Sequence, residues 1–153
     1  MQRLDSRVRL VWAIAGLVSA VVLGGIAVAL LAILLDWPIW PGIVLGVLVA
    51  VIGVGYAVLR YRIWRFDVQE DALFLDRGVL TRIRTVVPYV RVQHVDTRRN
   101  PIERVAGLER VVVYTAGSRG ADVAIPGLTP ERASDLQHRL RSLVGESEAE
   151  DAV

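Results

Sequence analysis

Cysteine is absent from all 153 residues. Disulfides, thiol catalysis, Cys-ligated zinc and iron–sulfur clusters are therefore excluded. Lysine is absent too, and all 18 Lys-or-Arg positions hold arginine. No guanidinium loses its charge near neutral pH. A GC-rich coding sequence explains this bias more simply than a demand for guanidinium chemistry. Histidine occurs twice, as His94 and His138. The most informative absence is local: between residues 10 and 59 the only charged side chain is Asp36.

What is present divides the chain in two. Hydrophobic residues make up 54% and charged residues 22%, with a mean hydropathy of +0.46. Soluble domains sit near about 45–50% apolar. The average mixes an uncharged stretch with an ordinary polar one, so a purely soluble globular protein is excluded. The length suits one small domain plus a membrane anchor.

Residues 10–35 carry no charge, and a membrane helix needs about 20 such residues. A second uncharged run covers residues 37–59. Asp36, Pro38 and Pro41 break the helix between them and predict a tight turn that includes Trp37 and Trp40. The first run exceeds the roughly 7–15 apolar residues of a signal peptide, and a second span follows it directly. We expect a two-helix transmembrane hairpin with spans at about 10–35 and 39–60.

Arginine sets the orientation. Residues 1–65 hold six Arg against Asp5 and Asp36, a net of +4. Residues 66–153 hold 12 Arg against 14 acids, a net of −2. Arg3, Arg7 and Arg9 precede the first span, while Arg60, Arg62 and Arg65 follow the second. The turn between them has no positive residue. The positive-inside rule places both termini in the cytoplasm of a multi-pass cell-membrane protein. Juxtamembrane Arg60, Arg62 and Arg65 suit anionic lipid. Trp12, Tyr61 and Trp64 are expected at the inner interface, and Trp37 and Trp40 at the outer one.

Small residues recur at steps of three or four in each span: Ala13, Gly16, Ala20, Gly24 and Ala27, then Gly42, Gly46, Ala50, Gly53 and Ala57. Such faces let helices approach closely in lipid. They serve either packing within one hairpin or self-association through Gly42 and Gly46. Neither span holds the ionisable group expected of a transporter or proton relay.

Beyond residue 63 the pattern changes to short β-rich stretches: 63–68, 72–76, 79–87, 92–97, 110–115 and 122–125. Turn signals separate them, among them Gly78, Pro88, Asn100-Pro101 and the 116–120 segment. Residues 102–107 read as one helical turn ending at Gly107. A helix follows, with Thr129 as N-cap, Pro130 at its first position and Glu131 in its first turn. Ala133, Leu136, Leu140 and Leu143 form its apolar stripe, and Gly145 suits its C-terminal cap. The acidic residues after Gly145 read as a disordered tail.

These residues carry a resemblance. Residues 73–143 resemble the bacterial PH-like domain family of the YdbS type. Arg77-Gly78-Val79-Leu80 is similar to its Arg-Gly-apolar-apolar element. Residues 86–95 are similar to its strand, Pro-centred turn and Arg-Ile-Gln stretch. Residues 99–108 are similar to its Pro-Leu-x-Arg-x-x-Gly-Leu element, and residues 113–117 to its Thr-Ala-Gly strand end. Asn100 stands where the family pattern has Gly, and Val92 where it has Ile. The resemblance implies a membrane helical hairpin plus an α+β cytoplasmic domain. That domain would be a PH-like antiparallel barrel or sandwich capped by a C-terminal helix. Residues 1–61 would form the N-terminal segment and hairpin, 62–144 the PH-like domain and 145–153 the tail.

Candidate chemistry is sparse. His94 and His138 lack the convergent carboxylates of a metal site. No nucleophile arrangement, phosphate-cradling loop or paired-carboxylate cleft is present, so catalytic, cofactor and metal residues are expected to be absent. Arg82, Arg84, Arg91, Arg98 and Arg99 cluster around the central strands, and guanidinium groups suit anionic headgroups. The plainer reading is a solvated face offset by nearby acids. Nucleic acid calls for a basic domain, which residues 66–153 are not. We expect a non-catalytic, membrane-anchored binding or scaffolding module. Its partners would be the membrane and other membrane proteins, or a second copy through the small-residue faces. The alternatives are headgroup recognition by the Arg-bearing face and membership of a membrane export or stress-response assembly.

Overall fold

The computed structural model describes residues 2–35, 38–117 and 122–151. The expected turn at Asp36 and Trp37, the Ser118–Gly120 segment and residues 152–153 lie outside them. The chain forms two compact units. One is Arg9–Arg62; the other joins Met1–Val8 to Ile63–Val153.

The first unit is a pair of helices, α1 (Arg7–Leu35) and α2 (Trp40–Ile63). Both are long and apolar enough to cross a membrane. Asp5 starts α1: its carboxylate accepts from the Arg7 N–H at 2.9 Å, and its carbonyl accepts from Val8 at 3.2 Å. Pro41 sits in the first turn of α2, where its missing N–H costs nothing. Arg60 and Arg62 occupy the last turn, which complements the helix dipole.

The small-residue faces meet each other within the pair. A Cβ on Gly24 would come within 2.9 Å of the Gly46 Cα, and one on Gly16 within 3.2 Å of the Gly53 backbone. Gly42 abuts Val28 in the same way, and Ala20 and Ala57 are buried. The Gly42 and Gly46 face is thus occupied inside the chain. Most of the large side chains between Leu10 and Leu59 point outward.

The second unit has two antiparallel sheets. The first orders β1 (Gln2–Arg3), β2 (Arg65–Val68), β3 (Ala72–Arg77) and β4 (Ile83–Pro88). The other orders β5 (Val92–Arg98), β6 (Glu109–Thr115) and β7 (Val123–Leu128). The sheets do not close into a barrel, so the fold is two antiparallel sheets with a C-terminal helix, consistent with a PH-like domain. Between β4 and β5 the chain passes through Pro88, which has no N–H for a ladder, and the 3-10 turn Tyr89–Arg91.

Each sheet turns one face inward. Leu73 opposite Val87, with Leu75 and Phe66, fills the first; Val95, Val111, Val113 and Ile125 fill the second. Helix α3 (Pro101–Val105) joins β5 to β6. Helix α4 (Pro130–Asp151) packs on β5, β6 and the 3-10 turn. Thr129 Oγ1 accepts from the Arg132 N–H at 3.3 Å, and Ala133, Leu136 and Leu140 are buried as their spacing predicts. Gln137 and Arg141 both donate to the Val95 carbonyl, at 2.8 and 3.1 Å. They cap a backbone acceptor on the edge strand β5.

Four expectations require correction. Helix α4 continues to Asp151, past Gly145, because Gly145 meets nothing within 4 Å and the Glu/Ala-rich segment favours helix. Residues 79–81 are not strand: Gly78 adopts φ +100 and turns the chain. Trp64 is not a surface aromatic; its ring is buried edge-on to Phe66, with ring centroids 6.3 Å apart. The first eight residues belong with the second unit rather than the hairpin. β1 pairs with β2, Leu4 and Val8 are buried, and the Asp5 N–H donates to the Gly127 carbonyl at 2.8 Å.

Candidate functional site

The five candidate arginines fall in three places. Strand register puts Arg84 opposite Asp76 on the outer face of the first sheet. Arg82 reaches the same carboxylate at 3.3 Å, with Arg84 at 4.0 Å. Asp76 is buried beneath them, and its second oxygen has no hydrogen-bond partner among the described residues. Arg98 ends β5 in the other sheet and Arg99 follows it. Arg98 lies 5.4 Å over the Tyr114 ring, which stacks on His94 at 4.2 Å. Arg99 donates to Glu109 at 3.0 Å, which raises its already high pKa. Arg91 sits before β5, roughly 20 Å along the strand from Arg98. The expected cluster is therefore split, and three of its members face internal carboxylates.

The juxtamembrane arginines also separate. Arg60 stacks over Trp12 at 4.1 Å, and Arg62 ends α2. Arg65 is the first residue of β2, opposite Arg3 and Asp76. His94 stands 4.0 Å from Asp96 at the surface, and no other carboxylate joins them to make a metal cluster among the described residues. His138 lies on α4, away from its buried stripe.

Two polar devices escaped the sequence reading. The first is built on α3. Asn100 Oδ1 accepts from the Glu103 N–H at 2.7 Å, and Glu103 accepts from the Asn100 N–H at 3.0 Å, forming a capping box. Arg110 Nε then donates to both Glu103 oxygens, at 2.9 and 3.1 Å. Glu103 is buried, so this pair fixes the β5–β6 connection. The Asn-x-x-Glu spacing was the available signal. Asn also suits the N-cap better than the Gly of the family pattern.

The second device is Tyr89. Its hydroxyl donates to the Gln69 carbonyl at 2.8 Å, and its ring is buried. Burial pushes the phenol up to about 12, so it stays neutral and ties the 3-10 turn to the β2–β3 turn. Beside it, Arg139 and Leu143 of α4 form a shallow polar groove with Gln69, Glu70 and Asp71. This groove holds no convergent constellation of nucleophile and base.

Comparison with known proteins follows the same outline. The bacterial PH domain family matches residues 10–144, which include the helical pair. The UPF0699 transmembrane protein YdbS of Bacillus subtilis (strain 168) is 35% identical, over 77% of this chain and 75% of its own length. No solved structure matches. With two apolar helices, two antiparallel sheets and a C-terminal helix, this membrane protein belongs to the bacterial PH domain family.

Proposed function

We propose that the chain is a non-catalytic binding or scaffolding module. The helical pair would anchor it in the cell membrane with both termini in the cytoplasm, and its PH-like unit would make protein contacts. The observation that carries this reading is the open edge of the first sheet. β4 pairs on one side only; Val86 on it is 51% exposed, and Val90 in the 3-10 turn that follows it is 56% exposed. An unpaired strand edge with apolar side chains suits the addition of a partner's strand. Headgroup recognition by the arginines has less support, since Arg82, Arg84 and Arg99 already face Asp76 and Glu109.

Two measurements on the full-length protein test the reading. Reporter fusions at residue 38 and at the C-terminus should lie on opposite sides of the membrane; a shared side rejects the anchor. In mild detergent, Val86→Arg with Val90→Arg should reduce co-purified proteins without lowering the melting temperature. Undiminished co-purification counts against β4 as the contact.

A further inference from the structure

Two apolar side chains on the PH-like unit are more exposed than any large one described on the helical pair. Leu80, in the β3–β4 turn, is 94% exposed, and Val105, ending α3, is 91% exposed. Among the described large apolar residues of the helical pair the highest value is 79%, at Ile33. Ile102 lies three residues before Val105, on the same helix face, and is 55% exposed. Isolated surface aliphatics are ordinary; a shared location is not.

The register shows that these side chains share an end of the unit. Arg65, the start of β2, pairs with Asp76 at the end of β3, so the Leu80 turn lies at the Arg65 end of the sheet. Arg3 pairs with Arg65, so β1 runs to that same end before α1 begins. In the other sheet, Glu109 pairs with Leu128, which places α3 beside Gly127. Gly127 packs on Val8 so closely that a Cβ would come within 2.6 Å of it, and a Cβ on Gly107 would lie 3.5 Å from the Arg7 guanidinium. Both apolar connections therefore sit next to residues 4–8 and 63–65, the segments covalently joined to the uncharged runs.

Charge follows the same division. The two connections contain Arg82, Arg99 and Arg104; Arg82 and Arg99 are paired with Asp76 and Glu109, and Glu103 with Arg110, so Arg104 is the arginine here with no carboxylate partner among the described residues. At the opposite end, the β2–β3 turn holds Glu70 and Asp71. Aliphatic tips among arginines match the boundary between acyl chains and anionic headgroups.

We propose that Leu80, Ile102 and Val105 dip into the bilayer surface and seat the PH-like unit against the membrane its own helices cross. This inference rests on the helical pair being a membrane anchor, so the test includes a control for that reading. The chain lacks cysteine, so single substitutions give unique labelling sites. Full-length Leu80→Cys, Val105→Cys, Glu70→Cys and Val21→Cys carry an environment-sensitive fluorophore. They are reconstituted in phosphatidylglycerol-containing vesicles with brominated lipids. Labels at 80 and 105 should be quenched severalfold more than the label at 70, and less than the label at 21, on α1. Quenching at 80 and 105 no greater than at 70, with 21 strongly quenched, overturns the inference and leaves the anchor standing. Absence of quenching at 21 overturns the anchor and the inference together. Labels at 80 and 105 shielded from both brominated lipid and aqueous iodide would mean that protein covers them, and this also overturns it.

Discussion

At the scale of single residues, the strongest polar commitment is Glu103 with Arg110. Glu103 closes a capping box and accepts both Nε hydrogen bonds of a bidentate pair while buried. Glu103→Ala should remove the cap and strand the Arg110 charge. Because the Arg110 side chain is 35% exposed, the cost should be about 2–3 kcal/mol rather than the full penalty of a deeply buried pair. Thermal melts of the full-length protein in detergent check this; a loss below about 0.5 kcal/mol would fit a merely solvated pair. Tyr89 gives a pH signature. Its pKa is raised in the fold, so its stabilisation is complete below pH 10 and is lost as pH climbs toward about 12. Tyr89→Phe should flatten that alkaline loss while sacrificing the bond to Gln69, at about 1 kcal/mol. Parallel stability curves from pH 9 to 12 would show that another group titrates. Side-chain identities were legible from sequence, but partners were not. Arg82 and Arg84 read either as a headgroup face or as a solvated face offset by nearby acids, and it is the β3–β4 register that brings Asp76 to them. His94 likewise finds its ring partner, Tyr114, only through the pairing of β5 with β6.

Whole elements were more legible, since period and punctuation act locally. Six of the strands and the α3 turn stand close to where alternation, Pro and Gly predict, and the α4 stripe is buried at Ala133, Leu136 and Leu140 but only half-buried at Leu143. The misses occur where a local signal had two physical readings. Gly78 interrupts what looked like one strand from residue 79, because its positive φ commits the chain to a turn. Ile83 has the parity of core residues such as Val87, yet it is 47% exposed because it lies at the open end of β4. Gly145 could end a helix or sit within one, and the exposed helix simply continues through it. The distinction has a measurable sign. Within a helix, Gly145→Ala should stabilise by about 0.5–1 kcal/mol and raise far-UV helicity, because nothing crowds the added methyl. At a left-handed cap the same change would destabilise instead. A lowered melting temperature would therefore place the end of α4 at Gly145.

At the scale of the molecule, the boundary between helical pair and domain does not follow chain order. The uncharged runs made the helical pair legible, but nothing in Gln2-Arg3-Leu4 marks a two-residue strand. That strand exists because β2 offers it an edge and because the unit has a place for Leu4 and Val8. Both are 3% exposed. Arg132 of α4 adds a hydrogen bond to the Arg3 carbonyl at 3.0 Å, and Gly127 accepts from Asp5. The segment thus touches the first sheet, the second sheet and α4. Burying two aliphatic side chains is worth about 3–6 kcal/mol, against a total stability of about 5–15 kcal/mol for a domain. A fragment of residues 63–153 should therefore fold poorly or melt well below the same unit in the full-length protein. Fusing residues 2–8 through a flexible linker to that fragment should restore cooperative melting, and the same fusion carrying Leu4→Asp should not. A bare fragment that melts as cooperatively, and at the same temperature, as the fused one would show that the N-terminal segment is only laid against the unit. Failure of the Leu4→Asp fusion beside success of the wild-type one would show that the PH-like unit is completed by the residues that precede the membrane helices.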